Sequence, residues 1–247
     1  MRDLFLGLVT YILCIVTLYI IIDYKIGIQM HQIDIYNKQM QKIMYIYEDT
    51  VAMRGNTFDI IGISSRELLP CSLMQFMTCP KVSVWPAIVK LFTGSLWSHV
   101  ALLERNPKTN ELSVLEVTID DNDQAVMRSV KWKQWLELRK QCRIIWRPFI
   151  GHTNTNVNYK LLRSNLETQN VKLTRNPLQF LQSCFRKKFK PKDTMLRSNQ
   201  VTCVEFVVYI LQTMQILKQV YAPTSMHPGM LLFEHLDNYV QVPIGVL

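Results

Sequence analysis

The sequence predicts an α+β domain, a small antiparallel sheet packed against one cysteine-bearing helix, set behind a transmembrane helix and a helical stalk. Three observations predict it. The stretch from Leu4 to Ile22 carries no charged residue. Two apolar, strand-like runs, Val100 to Leu103 and Leu112 to Val117, flank the turn-forming segment Asn106 to Asn110. A longer apolar run from Val204 to Leu217 follows Cys203, and its length favours a buried helix over a strand despite its β-branched content.

The first element is the span over 1–24. At a rise of about 1.5 Å per residue, Leu4 to Ile22 is long enough for a hydrocarbon core about 30 Å thick. It ends in Tyr19-Ile20-Ile21-Ile22-Asp23 without a small-x-small cleavage site, which reads as an uncleaved signal anchor and a single-pass membrane protein. Arg2 lies on one side and Lys25, Lys38 and Lys42 on the other, a slight bias toward a cytoplasmic domain. The lack of any Asn-x-Ser/Thr sequon agrees with that side.

Residues 25–55 read as a helical stalk. Ile26, Met30, Ile33, Asn37, Met40, Met44, Tyr47 and Val51 recur at spacings of four and three, a heptad seam through which the chain could form a homo-oligomer. Ile28, Ile35, Ile43 and Ile46 make a second apolar face, which fits a helix lying along the domain or the membrane surface instead.

Residues 56–247 form the domain. His99 starts the first apolar strand, and Glu116 interrupts the pattern of the second. If the two strands pair as a hairpin, Glu116 lies beside the imidazole and fixes its tautomer. Cys203 falls in the first turn of the long helix, with Thr202 or Asn199 as its cap. There the positive end of the helix dipole and a nearby imidazole favour thiolate, the form that attacks carbonyl carbon. Backbone N–H groups at the helix start could serve the resulting oxyanion. Cys203, His99 and Glu116 are therefore the candidate catalytic residues. Taken singly, a histidine at a strand edge or a buried free cysteine is more often structural, so it is their combination that carries the reading.

These residues resemble a known family. Thr93-Gly94-Ser95-Leu96-Trp97-Ser98-His99-Val100-Ala101, Val114-Leu115-Glu116 and Cys203-Val204-Glu205-Phe206-Val207 look like the circularly permuted NlpC/P60 group of papain-like enzymes, the YiiX-like proteins and their poxvirus relatives. Asp59-Ile60-Ile61 is similar to that group's opening strand, and Pro223-Thr224-Ser225 to its turn after the helix. The resemblance covers most of residues 56 to 230. It implies a permuted papain-like fold, a thiol amidase, peptidase or acyltransferase, and a host or virion membrane as its location. Two departures stand out: Phe58 occupies the place where glycine is usual, and residues 151–200 form a longer, more basic connection.

Composition bounds the alternatives. The chain has 247 residues, of which 49% are hydrophobic, room for one anchor, one stalk and one domain. The six cysteines include no CxxC pair or His/Cys cluster, so no metal site or cofactor is expected, and Cys71, Cys79, Cys142 and Cys184 leave the redox compartment open. No Gly-x-Ser-x-Gly elbow or phosphate-binding glycine loop is present, against serine hydrolase and nucleotide-dependent classes. Part of the net charge of +9 sits in Arg186-Lys187-Lys188-Phe189-Lys190-Pro191-Lys192. Arg186, Lys187, Lys188 and Lys190 are candidate contacts for membrane lipids at about 1 kcal/mol per basic residue, though a charge run is usually a solvated loop. No specific nucleic-acid partner is expected, because no recognition motif accompanies the charge. The expected substrate is an amide- or ester-containing lipid or peptide. The competing expectation is a catalytically inactive membrane or virion scaffold that keeps the fold.

Overall fold

Strand β2 (Ile60–Ser65) is apolar on both sides, which only a strand with packing on both faces can satisfy. Ile60 joins one buried cluster, and Ile61 and Ile63 join another. The computed structural model describes residues 45–65, 97–120, 124–140, 142–151, 156–174, 199–218, 226–233, 235–241 and 243–246. The expected anchor over 1–24, the stalk up to Met44, the Pro223 turn and the candidate lipid contacts Arg186, Lys187, Lys188 and Lys190 lie outside these residues. Among the described residues no helix is long and apolar enough to cross a membrane.

The protein is mixed α+β. Around β2 stand β1 (Tyr45–Ile46), β3 (His99–Arg105), β4 (Leu112–Ile119), β5 (Ala125–Lys131), β6 (Cys142–Arg147) and β9 (Ile244–Val246), separated in sequence by the two-stranded pair β7 (Lys172–Leu173) and β8 (Gln200–Val201). The main sheet has seven strands in the order β1-β9-β6-β2-β3-β4-β5, antiparallel except for the β1–β9 edge. It is wider than the small sheet expected. The extra width comes from β5 and β6 and from the very short β1 and β9 at one edge, which periodicity over so few residues does not reveal.

Among the described residues the helices are α1 (Glu48–Arg54), α2 (Trp132–Leu138), α3 (Asn156–Thr168), α4 (Cys203–Thr213) and α5 (Pro228–Phe233). On one face Val100, Leu102, Leu115, Val117 and Ile145 meet Phe206, Val207, Ile210 and Leu211 of α4, with Leu162 and Leu166 of α3 and Leu231 and Leu232 of α5. On the other, Ala101, Leu103, Val114, Ile144 and Trp146 meet Val51 of α1 and Trp132 and Trp135 of α2. Gly62 lets α5 approach the sheet, since a Cβ there would lie 2.4 Å from Leu232 Cδ1.

One expectation needs correction. The seam of residues 26–51 does not run on as one helix: Tyr45–Ile46 is a strand, α1 starts afresh at Glu48, and Val51 is buried in the domain. Helical spacing at Tyr47 and Val51 reflects a core-facing residue of α1, while Tyr47 is exposed. Within 151–200, Leu162 and Leu166 of α3, with Val171 and Leu173, contribute to the core.

Phe58 carries out the departure noted at the glycine position. Its φ is 78°, in the region where glycine is favoured, and it is nonetheless a fully buried phenylalanine. Its ring meets Phe149 and Tyr159 edge-on, with centroids 6.2 and 5.0 Å away. Beside it, Asp59 accepts from the Asn56 and Phe149 amides, both at 2.8 Å, and from Trp146 Nε1 at 2.7 Å.

Candidate active site

Helix α4 begins where Thr202 supplies an extended N-cap. Thr202 Oγ1 accepts from the Glu205 amide at 3.1 Å, and the Glu205 carboxylate accepts from the Thr202 amide at 2.7 Å. This capping box makes Thr202, not Asn199, the cap. It leaves Cys203 as the first residue of the helix, a free and partly exposed thiol. Packing of α4 on β3 and β4 then brings the start of the helix to the strand pair.

That pair is the hairpin expected. Leu102 lies opposite Leu115 and Arg105 opposite Leu112. One tight contact follows from this register. Glu116 Oε2 lies 3.0 Å from His99 Nε2. With Nε2 engaged by the carboxylate, Nδ1 is the ring nitrogen left for the Cys203 sulfur, with which His99 also shares a hydrogen bond. The structure thus brings all three sequence-derived residues together.

Glu116 is fully buried, while the His99 side chain retains 17% of its surface exposure. Burial by itself would lower the His99 pKa; the charge and hydrogen bond of Cys203 together with those of Glu116 outweigh it, raising the value to about 9. For Glu116, burial would raise the pKa, but the His99 bond and the positive charges of His99, Arg139 and Arg128 hold it well below the usual carboxylate range.

The two arginines were not singled out in the sequence. Arg128 lies directly opposite Glu116 in the β4–β5 register and grips Oε1 with Nε at 3.0 Å and Nη2 at 2.8 Å. Arg139, just past the end of α2, reaches Oε1 at 3.3 Å and Oε2 at 3.4 Å through Nη2. Only the register of β5 and the length of α2 could have revealed them. Trp135, buried and stacked on Trp132, anchors α2 and lies under the Arg139 guanidinium, 6.0 Å from its ring centre. Among the described residues no group of three or more His, Cys, Asp or Glu side chains is arranged to hold a metal ion.

Fold and site together define a mixed α+β domain with a thiol, an imidazole and a buried carboxylate in series. No family model and no curated protein sequence matches the chain. Among solved structures the chain is similar to the crystal structure of the metalloprotein yiiX from Escherichia coli O157:H7, at 15% sequence identity and a TM-score of 0.37, covering 69% of this chain and 77% of that one.

Proposed function

We propose that the protein is a cysteine hydrolase or acyltransferase of the circularly permuted papain-like, NlpC/P60 type, working through Cys203, His99 and Glu116. The observation that carries this reading is the placement of His99 between a helix-start thiol and a buried, ionised carboxylate. The motif resemblance around His99, Glu116 and Cys203 supports the same assignment.

In this mechanism His99 takes the Cys203 thiol proton, and the sulfur attacks the carbonyl carbon of an amide or ester. The negative charge that develops on the carbonyl oxygen meets the first-turn amides of Cys203 and Val204, which an α-helix cannot satisfy internally. His99 then gives its proton to the leaving amine or alcohol, the C–N or C–O bond breaks, and an acyl thioester remains on Cys203. Water, or a second acceptor deprotonated by His99, attacks that thioester and frees the thiol. Glu116 holds the imidazole in one tautomer throughout. The anchor read over 1–24 and the basic run at Arg186 to Lys192 favour a carbonyl substrate at a membrane surface, in a lipid or a peptide.

The test is alkylation of Cys203 by iodoacetamide across pH, located by mass spectrometry in the full-length chain, with His99→Ala alongside. Fast alkylation below pH 8 that collapses in His99→Ala supports the reading. Equal, slow alkylation in both proteins would overturn it and favour an inactive scaffold.

A further inference from the structure

We propose that Arg128 and Arg139 are positioning residues for the Cys203–His99 pair: they pin one oxygen of Glu116 so that the other stays on His99, and they temper the hold of Glu116 on the imidazolium proton. This rests on the reading of Cys203 and His99 as nucleophile and base.

The division of labour within the carboxylate is the main observation. Oε1 receives both Arg128 contacts, at 2.8 and 3.0 Å, and one from Arg139 at 3.3 Å. Oε2 receives His99 at 3.0 Å, with Arg139 Nη2 more distant at 3.4 Å. A glutamate has three side-chain torsions, so a lone hydrogen bond to a histidine would not fix it. Here the rotation that would take Oε2 off the ring also carries Oε1 away from the two Arg128 donors, Nε and Nη2, that converge on it.

The arginines come from two elements that converge on Glu116. Arg128 is its cross-strand neighbour on β5, and Arg139 is carried in by α2, with Thr118 Oγ1 3.4 Å from its Nη2. Arg128 and Arg139 side chains keep 21% and 23% of their exposure, whereas Glu116 keeps none. With Cys203 approaching from α4, these are the charged or titratable side chains that act on His99 and Glu116 among the described residues.

Electrostatics gives the direction of the effect. A buried carboxylate facing an imidazolium with no other counter-charge would keep the proton on the ring and make His99 a poor acid toward a leaving group. Two guanidiniums draw on the same negative charge and weaken that hold. Replacing one arginine by glutamine removes a positive charge and leaves the other arginine to keep Glu116 in place. The pKa of His99 must then rise.

The experiment follows the His99 ring by NMR in the full-length chain, titrated with pH, in wild type, Arg128→Gln, Arg139→Gln and Arg128→Lys. Both glutamine variants are expected to titrate higher by about one pH unit, and Arg128→Lys, which keeps the charge, is expected to stay close to wild type. In parallel, the upper pH limit of His99-dependent iodoacetamide alkylation at Cys203 should move with the ring titration. Glutamine variants with native melting behaviour and an unmoved or lowered His99 titration would overturn the proposal. If Arg128→Gln does not fold, Arg139→Gln and Arg128→Lys decide alone, the first by its upward shift and the second by its absence. Because the ring titration reports without turnover, a chain whose Cys203 proves unreactive sinks the hydrolase reading and leaves this measurement decisive for the arginines.

Discussion

His99 Nε2 and Glu116 Oε2 stand 3.0 Å apart although they lie 17 positions apart in sequence, because the turn over residues 106–111 folds β4 back on β3 and the register brings Glu116 beside the first residue of β3. Replacing Glu116 by glutamine keeps the volume and removes the charge. The buried site then holds two guanidiniums without their counter-ion, which costs about 3 kcal/mol or more. Glu116→Gln should therefore unfold at lower denaturant concentration, and its His99 should titrate below the wild-type value of about 9. Equal stability of the two proteins in urea would show that the arginines do not depend on Glu116.

The raised pKa of His99 makes a statement about stability. The folded-state value of about 9 exceeds the ordinary 6.5, so protonated His99 favours the folded chain. That contribution is complete below about pH 6.5 and is lost as pH rises through about 9. Cys203 is the largest influence raising it, so Cys203→Ser should lower the His99 titration and flatten the decline of the urea midpoint between pH 6.5 and 9. A decline of unchanged slope in Cys203→Ser would mean that another group drives it.

What could be read in the sequence was what short-range chemistry determines. The α4 start is written in Thr202 and Glu205, three residues apart, and the β3–β4 hairpin in one turn between two apolar runs. The end of α4 was hidden, because Gln215 rather than glycine takes the left-handed position at φ 58°. There the Ile216 amide bonds Leu211 O and the Gln215 amide bonds Gln212 O, a Schellman closure that keeps Ile216 in the core after the helix has stopped. Arg128 and Arg139 were hidden for a different reason: each reaches Glu116 from a separate element, and a single sequence holds no sign of that convergence. The β1–β9 edge joins residues near 45 to residues near 245, a pairing with no local signature.

Asp59 supplies a second pH signature, in a separate window. Burial raises its pKa from 3.8 to about 6, against the opposing pull of hydrogen bonds from Asn56, Phe149 and Trp146 and of the Arg105 charge. Its folded value exceeds its ordinary one, so its contribution is full below about pH 3.8 and is lost as pH rises through about 6. Glu116 titrates below its ordinary 4.5, so between pH 4.5 and 6 the fall comes from Asp59, set against a rise from His227, whose pKa burial lowers from 6.5. In Asp59→Asn the falling contribution across that window should disappear and leave the upward slope of His227. The same variant should lose about 1–3 kcal/mol, since Asn56, Phe149 and Trp146 all donate and an amide NH2 must face one of them. Urea midpoints at pH 4.5, 5.2 and 6 test both statements.

Phe58 sets two effects of opposite sign against each other. At φ 78° glycine would relieve backbone strain of about 1–3 kcal/mol. Removing a fully buried phenylalanine ring costs about 3–5 kcal/mol, and here the ring sits against Phe149 and Tyr159 while Tyr239 donates to the Phe58 carbonyl at 2.8 Å. The lost burial outweighs the relieved strain, so Phe58→Gly should be less stable than wild type. Phe58→Ala loses the same ring and keeps the strain, so it should be less stable still, by about 1 kcal/mol. Urea denaturation should rank the three proteins wild type, Phe58→Gly, Phe58→Ala. A glycine variant more stable than wild type would mean that the aromatic packing does not outweigh the strain, and an alanine variant equal to glycine would mean that the backbone relaxes out of the left-handed region once the ring is gone.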